Sequence, residues 1–347
     1  QINPIDVPAA RRAGAELKEI LLPVWAAYAN WGFDFGSIEA FYQLQWNNTS
    51  VDACGTYWAQ TSSVVSTRAT GCNVATVYGG TVYGFNLGTG IVPQFGSQPW
   101  QQAARGTYVP AIKGREASDS GQFGLAFRFP VEKIDTEIGL YAMNIHSRLP
   151  VAASITGTNW KDLPAAQQAA LQAAGLVGTD AYGNYWTSSR LRSLMPGAEA
   201  AVDGYLAAVG LPTNLESGKG FWEYPEDIQI YGISAATNLL GWSTSAELSY
   251  QVDVPVMANG NDLIGAGVFG IGPYRERARV VQAQGAGTYL IGHDRFDKTQ
   301  FQVNAVKTFS NILGAESMLV VGEIGSQWNN VPDYTKGGIR YGRGFMY

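Results

Sequence analysis

The two histidines are the first residues to weigh for chemistry, and each has a reactive neighbour: His146 precedes Ser147, and His293 precedes Asp294. Neighbours on an extended chain point to opposite faces, so neither pair makes a catalytic dyad by itself. A hydrolase built on strands needs a nucleophile, a base and an orienting carboxylate gathered by the fold. The chain shows no spacing that gathers them, and the expectation is a protein that is not an enzyme. Asp294 and Asp297 beside His293 match no metal-binding loop, because such loops bring several ligands to convergence at fixed spacing. They read as polar residues at a strand entry, with no metal and no cofactor expected. Gly265, Gly267 and Gly270 follow no βα unit, so a nucleotide-binding loop is not supported. Cys54 and Cys72 lie in a Gly/Ser/Thr-rich stretch that suits a loop disulfide in an oxidising compartment. Two unrelated thiols are the alternative.

Ionisable residues are more informative as members of alternating segments. Charged residues make up 15% of the chain, against roughly 25% in a typical soluble domain. Gly (42) and Trp (10) are abundant. A net charge of -5 without a basic cluster excludes a nucleic-acid partner. No apolar run reaches the roughly 18 residues that a membrane-spanning helix needs. If the chain meets a bilayer, it does so through strands.

The clearest alternating segment is Trp242 to Gln251. Trp242, Thr244, Ala246, Leu248 and Tyr250 share one face, and Ser243, Ser245, Glu247, Ser249 and Gln251 the other. Ser37 to Trp46 behaves alike, with Phe41 as an apolar intruder on the polar face, and so does Gly121 to Phe129. Weaker versions span 20–30, 136–146, 227–237, 298–309 and 317–328. Connections between them alternate in length. Short ones fall at 32–36, 130–135, 238–241 and 310–315, while 47–120, 147–226 and 252–297 are long. Long loops gathered at one end and short turns at the other are the pattern of an outer-membrane barrel. The expected fold is therefore all-β: a transmembrane antiparallel β-barrel of the Gram-negative outer membrane, with short periplasmic turns and long, partly helical extracellular loops. One domain is expected over 1–347. The chain starts at Gln1 without an initiator Met, and residues upstream are expected to have been cleaved or to lie outside it.

On this reading Glu39, Gln43, Arg128, Glu137, Glu247, Gln302 and Glu323 line a polar lumen with an acidic bias. Trp31, Trp46, Phe129, Trp242, Tyr250, Phe309 and Trp328 fall at strand ends, where aromatic girdles sit. Around the turn at 130–135, pairing Phe129 with Thr136 would set Arg128 opposite Glu137, Phe127 opposite Ile138 and Leu125 opposite Leu140. Within the long connections, 163–174 and 197–209 read as Ala-rich helices with Pro near the start. They would either plug the mouth or shield the surface.

Several stretches resemble a large family of proteobacterial outer-membrane proteins named only as a domain of unknown function. These are INPIDV (Ile2 to Val7), GAELKE (Gly14 to Glu19), EAFYQLQW (Glu39 to Trp46), ACGTY (Ala53 to Tyr57), GLYAMNIHSRLP (Gly139 to Pro150), YPEDIQIYG (Tyr224 to Gly232) and GHDRFD (Gly292 to Asp297). The resemblance implies a channel-like barrel among outer-membrane lipids and lipopolysaccharide, and a domain incomplete at both ends relative to the family. It also implies operation beside an RND-type inner-membrane exporter and a periplasmic protein similar to lipoprotein carriers. The expected function is a channel or conduit for lipid-like or other hydrophobic molecules. A structural barrel with a plugged lumen that binds a partner protein is the alternative, and a hydrolase of envelope lipids a more distant one.

Overall fold

The computed structural model describes residues 3–52, 112–157, 218–264, 272–312, 314–336 and 338–342, with isolated positions between them. It also describes the backbone of four short strands, β3 (Asn73–Thr76), β4 (Thr81–Val82), β5 (Phe85–Asn86) and β6 (Tyr108–Pro110). Its main feature is an eight-stranded sheet in the order β1-β2-β7-β8-β11-β12-β14-β15. The strands are β1 (Ala26–Phe33), β2 (Gly36–Gln43), β7 (Phe123–Val131), β8 (Thr136–Ile145), β11 (Ile228–Leu239), β12 (Trp242–Met257), β14 (His293–Ile312) and β15 (Ala315–Asn329). Every neighbouring pair is antiparallel. Each of the eight segments picked out by alternation contains a strand of this sheet, although in 20–30 only the part from Ala26 on is strand, and the four short connections fall between consecutive strands. Among the described residues the sheet is open, with β1 and β15 as its edges.

Turn chemistry closes the hairpins. Leu240 and Gly241 both have positive φ, +54° and +77°, the backbone of a two-residue type I′ turn whose twist matches the strands it joins. Asp135 takes φ +47° at the end of the β7–β8 turn, a conformation that Asp tolerates better than most side chains.

The two faces of the sheet differ in composition and in exposure. Ile38, Tyr42, Leu125, Leu140, Ile233, Leu248 and Ile324 stand on one face, and all are exposed; Ile324 reaches 74% and Trp31, on the same face of β1, 72%. The other face carries the acids, amides and hydroxyls, together with glycines. In water this arrangement is inverted, because an antiparallel sheet buries its apolar face and wets its polar one.

At the long-connection end the chain builds a small packed body, here termed the cap. It holds a three-stranded sheet, β10 (Lys219–Glu223), β9 (Val151–Ile155) and β13 (Tyr289–Ile291), in that order. Helices α3 (Gly260–Ile264) and α4 (Arg275–Gln282) lie near it. Ala152, Trp222, Ala258, Leu263, Tyr274, Ala278 and Leu290 form its core. Two one-turn helices, α1 (Val7–Ala10) and α2 (Leu17–Ile20), precede β1; the bridge Ile5–Leu21 closes their segment on itself, and the bridge Asp6–Ser50 ties it to the chain that follows β2. Among the described residues no helix is long and apolar enough to cross a membrane.

Three expectations need correction. Register at the β7–β8 turn is displaced by two residues: Arg128 stands opposite Gly139, Phe127 opposite Leu140 and Phe129 opposite Ile138, while Glu137 faces Pro130. A 3-10 turn at Glu132–Ile134 uses up less chain than the assumed loop, and a two-residue slip leaves every side chain on its expected face. Second, the connection assigned to 252–297 is shorter, because β12 passes a bulge between Gln251 and Val254 and goes on to Met257, and β14 begins at His293. Third, Trp46 lies beyond the end of β2 and is buried at 4% exposure, edge-on to Tyr224 and beside Ala117, with its indole N–H donating to the Ser147 carbonyl. It anchors the cap and is not part of an exposed girdle. Cys54 and Cys72 lie outside the described residues, as does almost all of the helical stretches expected at 163–174 and 197–209.

Candidate functional site

The polar face of the main sheet is where the ionisable residues meet. Following the pairings strand by strand, Glu39, Gln43, Arg128, Glu137, Glu247, Gln302 and Glu323 all fall on this one face. Ser37, Arg128, Gly139, Ser234, Glu247, Gln302 and Gly325 make one transverse row across it, and Glu137, Ala236, Ser245, Asn304 and Glu323 the next. Adjacent members are linked. Arg128 donates to the Glu39 carboxylate and, through Nε at 3.3 Å, to the Tyr141 hydroxyl, which lies 3.0 Å from Ser234 Oγ. Further along, Ser245 donates to the Asn304 side-chain oxygen at 2.7 Å and Gln302 to Glu323 at 2.9 Å. The result is a hydrogen-bonded belt whose carboxylates outnumber its guanidinium. Lys298 lies on the same face, two rows nearer the cap.

Towards the cap the same face turns apolar in its first half, where Phe41, Gly124, Met143 and Ile230 share a row. Glycine shapes it. A Cβ on Gly124 would collide with the Phe41 ring, whose Cζ would be 2.8 Å away, and Tyr141 lies over Gly139 in the same manner. Rings laid over glycine fill notches that strand-interior glycines leave. Phe41, read from sequence as an intruder on the polar face, is therefore the partner of Gly124. Tyr141, Ser234 and Asn304 belong to the belt as well. Alternation alone places them on this face, but only register brings them into contact with Arg128 and Ser245.

Gln43 has a different role. It is 1% exposed, and Arg148 donates to its side-chain oxygen and, at 2.9 Å, to the Asn47 carbonyl. Burial pushes the Arg148 guanidinium down to about 10. Beside it His146, 1% exposed, accepts at Nδ1 from the Asp227 backbone N–H at 3.1 Å, while Nε2 lies 2.8 Å from the Ser120 carbonyl. Both ring nitrogens are thus used, with the proton on Nε2. These groups seal the junction between sheet and cap, and they sit where β2, β7, β8 and β11 all end.

Of the expected aromatics, Trp31, Phe129, Trp242, Tyr250, Phe309 and Trp328 stand on the exposed apolar face. Trp242 and Phe309 meet edge-on at 6.0 Å, and the Lys307 ammonium lies 5.6 Å and 5.3 Å from their ring centres. Tyr250 donates to Asp297 at 2.8 Å. Inside the cap, Glu223 accepts from Tyr289 at 2.6 Å, and His293 Nδ1 lies 3.3 Å from the same oxygen without hydrogen-bond geometry. Burial first, then the Glu223 contact, pushes the Tyr289 phenol well above its ordinary range. No three His, Cys, Asp or Glu side chains converge on a metal-sized site among the described residues.

Fold and site together define a mostly antiparallel β protein whose wide sheet is polar and hydrogen-bonded on one face and apolar on the other. The chain belongs to the family described as protein of unknown function DUF1302, whose model matches residues 1–342. No curated protein and no solved structure matches it.

Proposed function

We propose that this chain forms the wall of an outer-membrane β-barrel in a Gram-negative bacterium and serves as a channel or conduit for lipid-like or other hydrophobic molecules. The supporting observation is the exposed apolar face that runs across all eight strands and backs onto the polar belt. Hydrocarbon solvates such a face, and water solvates the belt. In lipid an open sheet edge is untenable, so β1 and β15 must find strand partners there. The row of Phe41, Met143 and Ile230 beside the belt gives an apolar cargo a surface to move along, while a purely ionic pore would have no use for it. An RND-type exporter and a periplasmic carrier suit this reading as partners, with lipopolysaccharide and phospholipid as surroundings.

A second reading is favoured by the cap. Its packed core stands at the long-connection end, and a barrel plugged in this way would serve assembly or surface contact instead of transport. Transfer of a fluorescent fatty-acyl probe across proteoliposomes, with planar-bilayer conductance in parallel, separates the two. Probe transfer supports the conduit. Folded, membrane-inserted protein without transfer or conductance supports the plug, and failure to insert removes both.

A further inference from the structure

The short-turn end of the sheet carries large apolar side chains where hairpin tips ordinarily carry polar ones. Phe35, Ile134 and Leu240 occupy the β1–β2, β7–β8 and β11–β12 turns, and each is more than half exposed; Leu240 reaches 86%. Leu240 is the more telling because its φ is +54°. The first position of a type I′ turn favours Asn, Asp or Gly, and a Leu there is both strained and wetted. The sequence repeats the choice: Asn238-Leu239-Leu240-Gly241 at one hairpin is matched by Asn311-Ile312-Leu313-Gly314 at the next.

A second feature adds to the first. β12 leaves β14 at Ser243↔Val306, whereas β14 and β15 stay paired to Ile312↔Ala315, so the β14–β15 hairpin overhangs its neighbour. Leu319 lies on the polar-face side of this overhang and Val321 on the same side in the last row that β12 still shares, and both are more than half exposed. A bilayer around the barrel could cover the outward face of the overhang, and Phe35, whose ring stacks on the outward-facing Phe33 at 5.5 Å, but not Leu319 or Val321. Acidic residues predominate at the tips: Asp34, Glu132, Asp135 and Glu316 are exposed there, against Lys133 and Lys307, whose ammonium donates to the Leu240 carbonyl at 3.0 Å.

We infer that the short-turn rim, formed by Ile134, Leu240, Leu319 and Val321, is the docking surface for a protein that presents apolar side chains flanked by Lys or Arg. The inference rests on the barrel reading above. An apolar rim ringed by acids matches such a partner in both hydrophobic contact and charge.

The test uses the full chain with a fluorescent amino acid at position 240, 134 or 233, in nanodiscs that contain spin-labelled lipid, and a photo-crosslinking amino acid at the same positions in cells. The docking surface requires that 233 be quenched by the lipid label and that 240 and 134 be quenched by aqueous iodide instead. It also requires one protein adduct of defined mass at 240 and 134, absent at 233, that falls at least tenfold in the Glu132→Lys/Asp135→Lys variant. Lipid quenching at 240, no adduct, or an adduct indifferent to the charge reversal overturns the docking surface and leaves the barrel standing. Absence of lipid quenching at 233 overturns the barrel itself.

Discussion

The Arg128 guanidinium on β7 donates to the Glu39 carboxylate on β2 across a diagonal, since Arg128 stands directly opposite Ser37 and Glu39 opposite Ala126. Both side chains are partly exposed, so the pair holds position more than it adds stability. Arg128→Ala is expected to cost about 1 kcal/mol, read as a shift in urea midpoint. A double-mutant cycle with Glu39→Ala should return coupling of about 0.5–1 kcal/mol. Coupling near zero would mean that Tyr141 alone holds Arg128.

Glycine notches give a sharper contrast. Gly124→Ala drives a methyl into the Phe41 ring, while a Cβ on Gly232 meets Tyr141 no closer than 3.5 Å. Gly124→Ala is therefore expected to destabilise by about 1–3 kcal/mol, as overpacking does, and Gly232→Ala by less than about 1 kcal/mol. Adding Phe41→Leu to Gly124→Ala should recover part of the loss. Equal effects of the two alanines on thermal midpoint would refute the notch account.

At the β11–β12 turn, Leu240→Asn removes a left-handed conformation that suits Asn better than Leu. The hairpin should gain about 0.5–1 kcal/mol, seen as a higher thermal midpoint of the purified protein. A lower midpoint would show that Leu240 packs within the isolated chain.

Asp262 is fully buried and takes its charge partner from Arg340, which clamps residues 338–342 to α3; the Arg340 guanidinium is pushed up chiefly by that hydrogen bond. Arg340→Ala strands a buried carboxylate and should cost about 3–5 kcal/mol locally. Hydrogen exchange would register it as faster exchange at Asn259 and Gly342, whose amides bond across this join. Unchanged exchange there would dismiss the clamp.

Alkaline pH offers a test of the cap. Burial raises the phenols of Tyr274, Tyr289 and Tyr341 above their ordinary value of 10.0. Above pH 10 the unfolded chain loses these protons while the folded cap keeps them, so stability falls as pH rises through this range. Arg148 acts in the opposite sense, because its folded form deprotonates near 10 and its unfolded form later. Three phenols against one guanidinium leave a net loss. The thermal midpoint of the cap should drop from pH 9.5 upward, and Tyr289→Phe should flatten the slope. A rising midpoint would contradict the assignment.

Alternation made the strands and faces legible, because a half-solvated sheet writes its two environments into odd and even positions, as in Trp242 to Gln251. Register was less legible. Pairing Phe129 with Thr136 and pairing it with Ile138 satisfy the same alternation, and only the tight turn at Glu132–Ile134 decides between them. The cap was not legible at all. Its core joins Ala152 and Trp222 from one connection with Leu263 and Leu290 from another, all on short elements that show no period. Trp46 was misread for the same reason: it continues an alternating strand in sequence, but the cap closes over it, as it does over Gln43 on its expected polar face.

The ring of Phe41 settles at the β2–β7 pairing what alternation leaves open there. A slip of two residues between these strands would keep both faces intact but would carry the ring off Gly124 and against a side chain. Sliding of β2 along β7 is thus quantised by this key, whereas Tyr141 and Gly139 share β8 and hold no register between strands. In any barrel, shear and strand number together set the tilt and the bore. If the sheet closes as proposed, one aromatic side chain on its polar face therefore helps to set the width of the bore.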